Sequence, residues 1–450
     1  MAFTEPVLLK RIPNDPSLRK IYWYDDYVAT GGYAGLRKAL GMTADDIIKL
    51  VIDSGLRGRG GAGFSAGQKW SFIPKEKKGP HYMAVNFDES EPGTFKDRYL
   101  CDYDPHQILE GIAIACMATQ CDVAYIFIRG EYHRQAKILK RAIAEAYEKG
   151  IFGQQGILGS NFKLECYLHI GAGAYICGEE TGLLEALEGK RGWPRNKPPF
   201  PAIAGAFAKP TVINNVETLA LVPPIIERGA AWFKSMGTKS AAGPKLFGIS
   251  GHVNNPGVYE DELGITVEYA INKLAGGMKG GKFKACIPGG TSMGVLSANE
   301  LDIRLDFDDV RFRGGCLGLG TAGLIVMNEH TDMVKALRNI VRFYSHESCG
   351  QCTPCREGSA WMHKIMNRIV DGGGRPKDID MLLELEKTQG AMPGTTICGL
   401  ADATSWATRL FITKFYDEFA AACPEPKQYV PVTVRKGRDN VATPMGSNTR

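Results

Sequence analysis

The run Ser348-Cys349-Gly-Gln-Cys352-Thr-Pro-Cys355, with Cys398 remote from it, constrains this chain more than any other feature. Three thiols at a spacing of three converge on one side of a cubane cluster. A fourth from elsewhere closes the tetrahedral set of irons. Zinc more often takes two separated CxxC pairs and stands as the alternative metal. Gly350 and Pro354 are expected to keep the first two turns out of regular helix. Arg356 and the helix after it bring positive potential to the thiolates. The chain has 12 cysteines and no secretory pattern at its N-terminus, so reduced thiols and metal ligands are expected before disulfides.

Glycine is also in excess, 54 of 450 residues, and clusters in tight loops where backbone approaches a ligand. Gly58-Arg-Gly60-Gly-Ala-Gly63 satisfies G-x-G-x-x-G but follows an expected helix, so the dinucleotide-binding test of strand, loop and helix fails. Its glycines still admit a flat or phosphorylated ligand. Arg57, Arg59 and Lys69 supply charge for an anion, and Phe64, Trp70 and Phe72 supply stacking faces. A purely structural glycine turn is the alternative. A second loop, Gly171 to Gly178 with Glu179 and Glu180, has the strand–loop–helix context the first lacks, and its N–H groups can cradle a phosphate. Between them lies Asn86-Phe-Asp88-Glu89-Ser90-Glu91-Pro-Gly93, at the carboxyl end of an expected strand. Its carboxylates repel phosphate, so they suit hydroxyls or ring N–H groups. The alternative is a solvated acidic loop paired with Lys96 and Arg98. Cys177 reads as packing, and His169, His346 and His363 as structural residues.

Periodicity organises the rest. Thr43 caps a helix to Ser54, with Ile47, Ile48, Val51 and Ile52 facing inward. Strands at 82–87, 123–128 and 162–170 alternate with helices at 105–119, 131–149 and from 179, which implies a mainly parallel sheet covered on both faces. Trp193 to Pro201 is too proline-rich for a regular element. From about 244 short strands break at glycines and prolines into a small α+β module. From Met333 four helical patterns follow, at 333–344, 356–370, 378–388 and 402–420. Residues 1–40 read as an arm and those from Pro424 as a polar, mobile tail. A net charge of +5, dispersed along the chain, argues against nucleic acid. No apolar stretch reaches the ~20 residues of a bilayer span, and no targeting peptide is visible.

The four phrases, Arg57 to Phe64, Asn86 to Gly93, Gly171 to Glu180 and Glu347 to Arg356, resemble in this order the NADH-binding flavoprotein subunits of respiratory complex I, over residues 30 to 420. The resemblance implies FMN, NAD(H) and one [4Fe-4S] cluster. It implies a Rossmann-like α/β flavin and nucleotide domain at 41–240, a ubiquitin-like β-grasp module at 244–330 and a C-terminal helical bundle holding the cluster at 331–423, with the arm at 1–40 and the tail at 424–450. Carried over by motif, FMN meets Gly58, Gly60, Lys69, Asn86, Asp88, Ser90, Tyr175, Gly178, Glu179, Asn214, Asn215 and Thr218. The nicotinamide nucleotide meets Gly61, Phe64, Lys69, Phe72, Glu91, Glu180, Lys197 and Phe200, with Phe64, Phe72 and Phe200 as adenine stackers. Cys349, Cys352, Cys355 and Cys398 hold the cluster. Ser65, Gly182, and Gly399 with Ala401 depart from the usual pattern, and Gly399 bears on helix geometry beside the cluster.

The implied reaction is NADH oxidation by hydride transfer to the flavin and single-electron transfer to the cluster, toward quinone, with no side-chain acid or base in the hydride step. Implied partners are a thioredoxin-like [2Fe-2S] subunit and a large multi-cluster subunit. The implied place is peripheral, on the cytoplasmic side of a bacterial inner membrane or the matrix side in an organelle. Two other readings stand beside it. One is the diaphorase subunit of an NAD-linked hydrogenase or formate dehydrogenase, against which the lack of further cysteine groups speaks. The other is a non-enzymatic metal scaffold, which leaves both glycine loops unemployed.

Overall fold

The computed structural model describes residues 5–390 and 395–424, so the expected tail lies, beyond Pro424, outside the described residues. Four parallel strands form the first sheet: β1 (Tyr82–Phe87), β2 (Val123–Ile128), β3 (Glu165–Ile170) and β4 (Thr211–Asn215). Their order is β3-β2-β1-β4. Tyr82 stands level with Val123 on one side and Thr211 on the other. The chain thus steps outward from β1 through β2 to β3, then returns to β1's other side as β4. That reversal opens a crevice beyond the carboxyl ends of β1 and β4, where open α/β sheets bind ligands.

One face of this sheet packs on the helix Pro105–Thr119, every residue of which is buried. Gly111 permits that depth, because a Cβ there would stand 2.0 Å from the Leu219 carbonyl oxygen. The helix Ala44–Ser54 carries the expected capping box of Thr43 and Asp46. Ile47 and Val51 are buried, but Ile52, expected inward, is 38% exposed. The neighbouring helix Ala66–Ser71 packs on its base at Gly67, where a Cβ would stand 2.6 Å from Ile52 Cγ1.

The second sheet is mixed: β5 (Pro244–Gly251), β6 (Gly257–Glu262), β7 (Phe283–Ile287), β8 (Leu296–Ser297) and β9 (Gly323–Asn328). Its order is β6-β5-β9-β7-β8, and its first and last strands, β5 and β9, pair in parallel at the centre. Hairpin-like antiparallel pairs flank them, as in β-grasp folds. The C-terminal helices are Met333–Glu347, Thr353–Arg368, Pro376–Gln389, Leu400–Lys414 and Tyr416–Ala422. The pattern expected over 402–420 is two helices, divided at Phe415, whose φ of −127° leaves the helical range. Mixed sheet and helices share one continuous apolar core.

The N-terminal segment differs from a simple arm. Tyr24–Ala29 and Ala34–Ala39 are helices, and Tyr27, Tyr33 and Leu36 are buried. The buried carboxylate of Glu110 explains why: it accepts the backbone N–H groups of Tyr33 and Leu36 at 2.9 and 2.8 Å and the Tyr27 hydroxyl. Further up, Glu260 on β6 accepts the N–H of Leu9 at 2.8 Å and those of Val7 and Leu8. These are long-range partners that local periodicity does not contain.

Candidate active site

Two adjoining cavities, of about 500 and 590 Å³, occupy the crevice at the strand ends. Gly60, Gly61, Asn86, Gly178, Glu179 and Asn215 line both, so they form the shared wall. Sites of this size suit a cofactor or nucleotide.

The first glycine loop is a closed turn. Arg57 bridges to Ser65, and the Gly58 N–H donates to the Phe64 carbonyl at 2.7 Å. Gly61 has φ +134°, and a Cβ there would project into open space. Gly60 has Asn215 Cβ only 3.0 Å from where its own Cβ would be. The loop can therefore present bare backbone to a ligand. The basic residues around it divide. Lys69 lines the larger cavity. Arg59, expected to meet an anion, is fully buried and donates to the carbonyls of Ala242 and Pro244 at 2.8 and 3.0 Å. Burial draws its pKa down to about 10. Arg57 lines the smaller cavity, while donating to the Gly63 carbonyl at 2.6 Å and stacking 4.5 Å over Phe307. Trp70, expected as a stacking face, is fully buried in the core. Gly-rich local sequence cannot tell which flanking side chain turns inward.

The acidic loop is built in, with no solvated carboxylate paired to Lys96. Asn86 Nδ2 donates to the Gly178 carbonyl at 2.8 Å, joining it to the second glycine loop. Ser90 Oγ donates to Asp88 at 2.7 Å, and burial pushes Asp88 up to about 7. Glu89 accepts the N–H groups of Asp97 and Arg98 at 2.7 and 3.0 Å and the Tyr132 hydroxyl at 3.0 Å. Glu91 accepts from the Tyr175 hydroxyl at 2.7 Å and the Ser292 N–H at 2.8 Å. It thereby joins the flavin-side loops to the mixed sheet. Lys96 turns away, to Asp97 at 2.7 Å and Glu217 at 2.9 Å. Asn215 is consumed by the same network. Its Oδ1 accepts from Glu217 N–H and Lys96, and its Nδ2 donates to Asp97 at 2.7 Å. Lys96 and Asp97 line the smaller cavity, Glu217 and Lys245 support it from behind, and of the four only Lys96 stood out in the sequence.

Every residue named above for FMN lines one cavity or the other. The nucleotide set is divided. Gly61, Phe64, Lys69, Phe72, Glu180 and Phe200 line the larger cavity. Phe64, Phe72 and Phe200 are about half exposed there, and the rings of Phe64 and Phe72 lie 6.1 Å apart. Glu91 lines the smaller cavity, with Asp88 and Tyr175. Lys197 lines neither; it is ion-paired to Glu180 and stands 3.7 Å from Glu179. Lys69 stands 3.7 Å from Glu180. Burial alone would raise the Glu180 carboxyl, but the two lysines hold it below the usual range. Glu179 caps the helix Glu180–Leu187 by accepting the N–H groups of Thr181 and Gly182. Gly182 lets that helix seat, since a Cβ would stand 2.6 Å from the Ile176 carbonyl oxygen. Ser65 caps the helix Ala66–Ser71.

Cys349, Cys352, Cys355 and Cys398 line one small cavity with Ile176, Ser348 and Leu400. Gly350, at φ +79°, turns the chain between the first two thiols. Pro354 does not interrupt helix as expected: it lies in the first turn of Thr353–Arg368, where its missing N–H costs nothing. Ser348 Oγ stands 3.4 Å from Cys355 Sγ, and the Ile397 N–H donates to Cys352 Sγ at 3.4 Å. Gly399 precedes the helix Leu400–Lys414 as its cap and leaves it regular. Burial pushes Cys398 up to about 12, so a metal must displace its proton. Among the described residues no group of three or more His, Cys, Asp or Glu is placed to hold a metal ion, so the case for these thiols as ligands is their convergence on one pocket. Four thiols around one pocket, with O–H and N–H groups at the sulfurs and no carboxylate in its lining, fit an iron–sulfur cube. Cys398 also lines the smaller ligand cavity, and Ile176 lies in the lining of both. Among the described residues no helix is long and apolar enough to cross a membrane.

Residues 51–224 match the family model for the Nuo51 FMN-binding domain, 246–296 the SLBB domain, and 335–422 the NADH-ubiquinone oxidoreductase-F iron-sulfur binding region. The chain is 49% identical over 423 residues to the F 2 subunit of the NADH-quinone oxidoreductase of Rhizobium meliloti (strain 1021), covering 94% of this chain and 98% of that one. It is 49% identical over 396 residues to the mitochondrial NADH dehydrogenase [ubiquinone] flavoprotein 1 of Dictyostelium discoideum, covering 87% and 81%. Among solved structures, an NAD+-reducing [NiFe]-hydrogenase in the H2-reduced state superposes with a TM-score of 0.80 at 33% identity, covering 91% of this chain and 69% of that one.

Proposed function

Given that the chain belongs to the family of bacterial NADH-quinone oxidoreductase F subunits and their mitochondrial flavoprotein counterparts, we propose that the two cavities hold FMN and the nucleotide and the four thiols hold the cluster. The chain is the NADH dehydrogenase flavoprotein subunit of a complex I, an oxidoreductase using FMN and a [4Fe-4S] cluster. FMN supplies the conversion between a hydride pair and single electrons, which the cluster accepts one at a time.

The protein's part is placement. Gly58, Gly60 and Gly178 let backbone approach the flavin, with Asn86, Asp88, Ser90, Tyr175, Glu179, Asn214, Asn215, Thr218 and Lys69 around it. Phe64, Phe72 and Phe200 clasp adenine, Glu180 with Lys69 and Lys197 meets the ribose and amide end, and Gly61 leaves room. Glu91, from the adjoining cavity, orients Tyr175. No side chain exchanges a proton in the hydride step. Cys349, Cys352, Cys355 and Cys398 bind the cluster as thiolates. One observation carries the reading: Ile176, Cys398 and Leu400 belong to the thiol pocket and to the ligand cavity alike, so a cluster held by the thiols would be separated from a flavin in the cavity by a single wall of these residues.

The same reading divides the chain into a flavin domain, onto which the N-terminal helices pack, a β-grasp module, a cluster domain and a tail at the boundaries given above. It places the chain peripherally on the cytoplasmic or matrix side, beside a thioredoxin-like [2Fe-2S] subunit and a large multi-cluster subunit. The likeness to an NAD+-reducing hydrogenase supports a diaphorase as the second reading. That alignment leaves about a third of the hydrogenase chain unmatched, whereas the Rhizobium protein is matched nearly whole, which favours the complex I role.

The test is an anaerobic visible spectrum before and after NADH. Flavin bands that bleach over a broad iron–sulfur shoulder are expected. A colourless, zinc-containing chain would overturn the reading. Cys398→Ser should lose the iron signal and keep flavin; unchanged iron content rejects the four-thiolate set.

A further inference from the structure

The proline-rich segment that carries Phe200 and Lys197 to the nucleotide cavity begins, at its other end, against the thiol pocket. The Trp193 indole N–H donates to the Cys349 carbonyl at 3.0 Å, across 156 residues of sequence. Cys349 lies just beyond the helix Met333–Glu347, in the turn that Gly350 reverses, so its carbonyl has no helical partner there. Two carbonyls of this ligand turn are held by side chains. Arg356, from the adjacent helix, donates to the Gly350 carbonyl at 2.7 Å, and Trp193 takes that of Cys349.

Trp193 is itself held firmly. Arg191 stacks 4.9 Å over its ring. Gly192 is pressed so close to the second glycine loop that a Cβ would stand 2.8 Å from Cys177 Sγ. Arg195 is clamped by Glu185 at 2.5 Å, Glu188 at 2.7 Å and the Gly205 carbonyl at 2.9 Å, and its N–H donates to Thr181 at 2.8 Å. The indole therefore reaches the ligand turn from a rigid base. It is 38% exposed, so part of the ring faces solvent while its N–H faces the turn.

We propose that Trp193 is a positioning residue for the cluster: its N–H fixes the Cys349 turn, and its ring limits water at that edge. The segment that closes over the nucleotide thus also sets the environment of the cluster. This rests on the assignment of Cys349 as a ligand. Water at an anionic cluster favours the reduced form, so loss of the ring raises its potential.

The test uses the full chain carrying FMN and iron. Trp193→Phe keeps a ring and loses the donor; Trp193→Ala loses both. Expected are an altered EPR spectrum of the reduced cluster in both variants, and, in W193A, a higher midpoint potential and severalfold faster iron loss to a chelator. FMN content monitors folding. Should W193F not retain FMN, Trp193→His, which restores a ring N–H, is compared with W193A: a spectrum closer to wild type supports the proposal. Variants matching wild type in EPR, midpoint potential and chelation rate, at full iron content, overturn it. Absence of iron from the wild-type chain would instead reject the ligand assignment.

Discussion

Lys245 Nζ stands 2.6 Å from Glu217 Oε2, both side chains fully buried, and the pair ties β5 of the mixed sheet to the helix that Asn215 caps. Glu217 also accepts the Leu246 N–H at 2.9 Å and faces Lys96 at 2.9 Å. Burial draws Lys245 down to about 7, while its cationic neighbours hold Glu217 below the usual carboxylate range against its own burial. The strand ends of one sheet are thereby positioned by a residue of another.

Lys245→Met removes a partner and leaves Glu217 to Lys96 and Arg59. Breaking one side of a buried pair costs roughly 3 to 5 kcal/mol. Lower thermal stability and weaker FMN retention are expected, measured by calorimetry and flavin release. Wild-type values for both would show the pair to be dispensable.

Asp88 and Glu260 are both pushed up to about 7 by burial. Between about 4 and 7 the folded chain holds protons on them that the unfolded chain has released. Stability of the flavin-free chain should therefore fall as pH rises from 5 to 7, with respect to these groups. Urea midpoints across that range should show it, and Asp88→Asn should flatten the slope. An unchanged slope in that variant refutes the contribution of Asp88.

Glu180→Gln leaves Lys69 and Lys197 facing an amide. The pairs are partly exposed, so the effect on folding should be small. KM for NADH and inhibition by NAD+ should change while flavin content stays constant. Identical kinetics would remove Glu180 from the nucleotide site.

Phe200→Ala removes one of the three half-exposed rings of the larger cavity. Stacking is worth about 1 kcal/mol, so KM for NADH should rise roughly fivefold with kcat little altered. A steady-state titration decides it, and an unaltered KM rejects Phe200 as a stacker.

The residues that line the two cavities and the thiol pocket were legible because their signals are local. Cysteine spacing, glycine density and carboxylates at a strand end follow from ligand geometry and backbone sterics, which act over a few residues. Alternating strands and helices were legible for the same reason, through periodicity. What flanks the motifs was not. Arg59 and Trp70 lie beside or within reach of the first glycine loop and read as ligand contacts, yet both are buried, because Ala242, Pro244 and the core helices receive them. Residues 24–39 show no pattern, and fold because Glu110 supplies partners for their N–H groups.

The sequence alone thus determined which groups come together at the two cavities and the thiol pocket, since spacing along the chain limits what converges. Only the tertiary structure decided how those groups are shared out. Glu91 turns from the phenylalanines toward Tyr175 and Ser292, Asn215 commits its amide to Asp97 and Lys96, and Trp193 reaches Cys349. The physical reason is that buried polar groups must find partners, and those partners come from wherever packing brings them, far away in sequence.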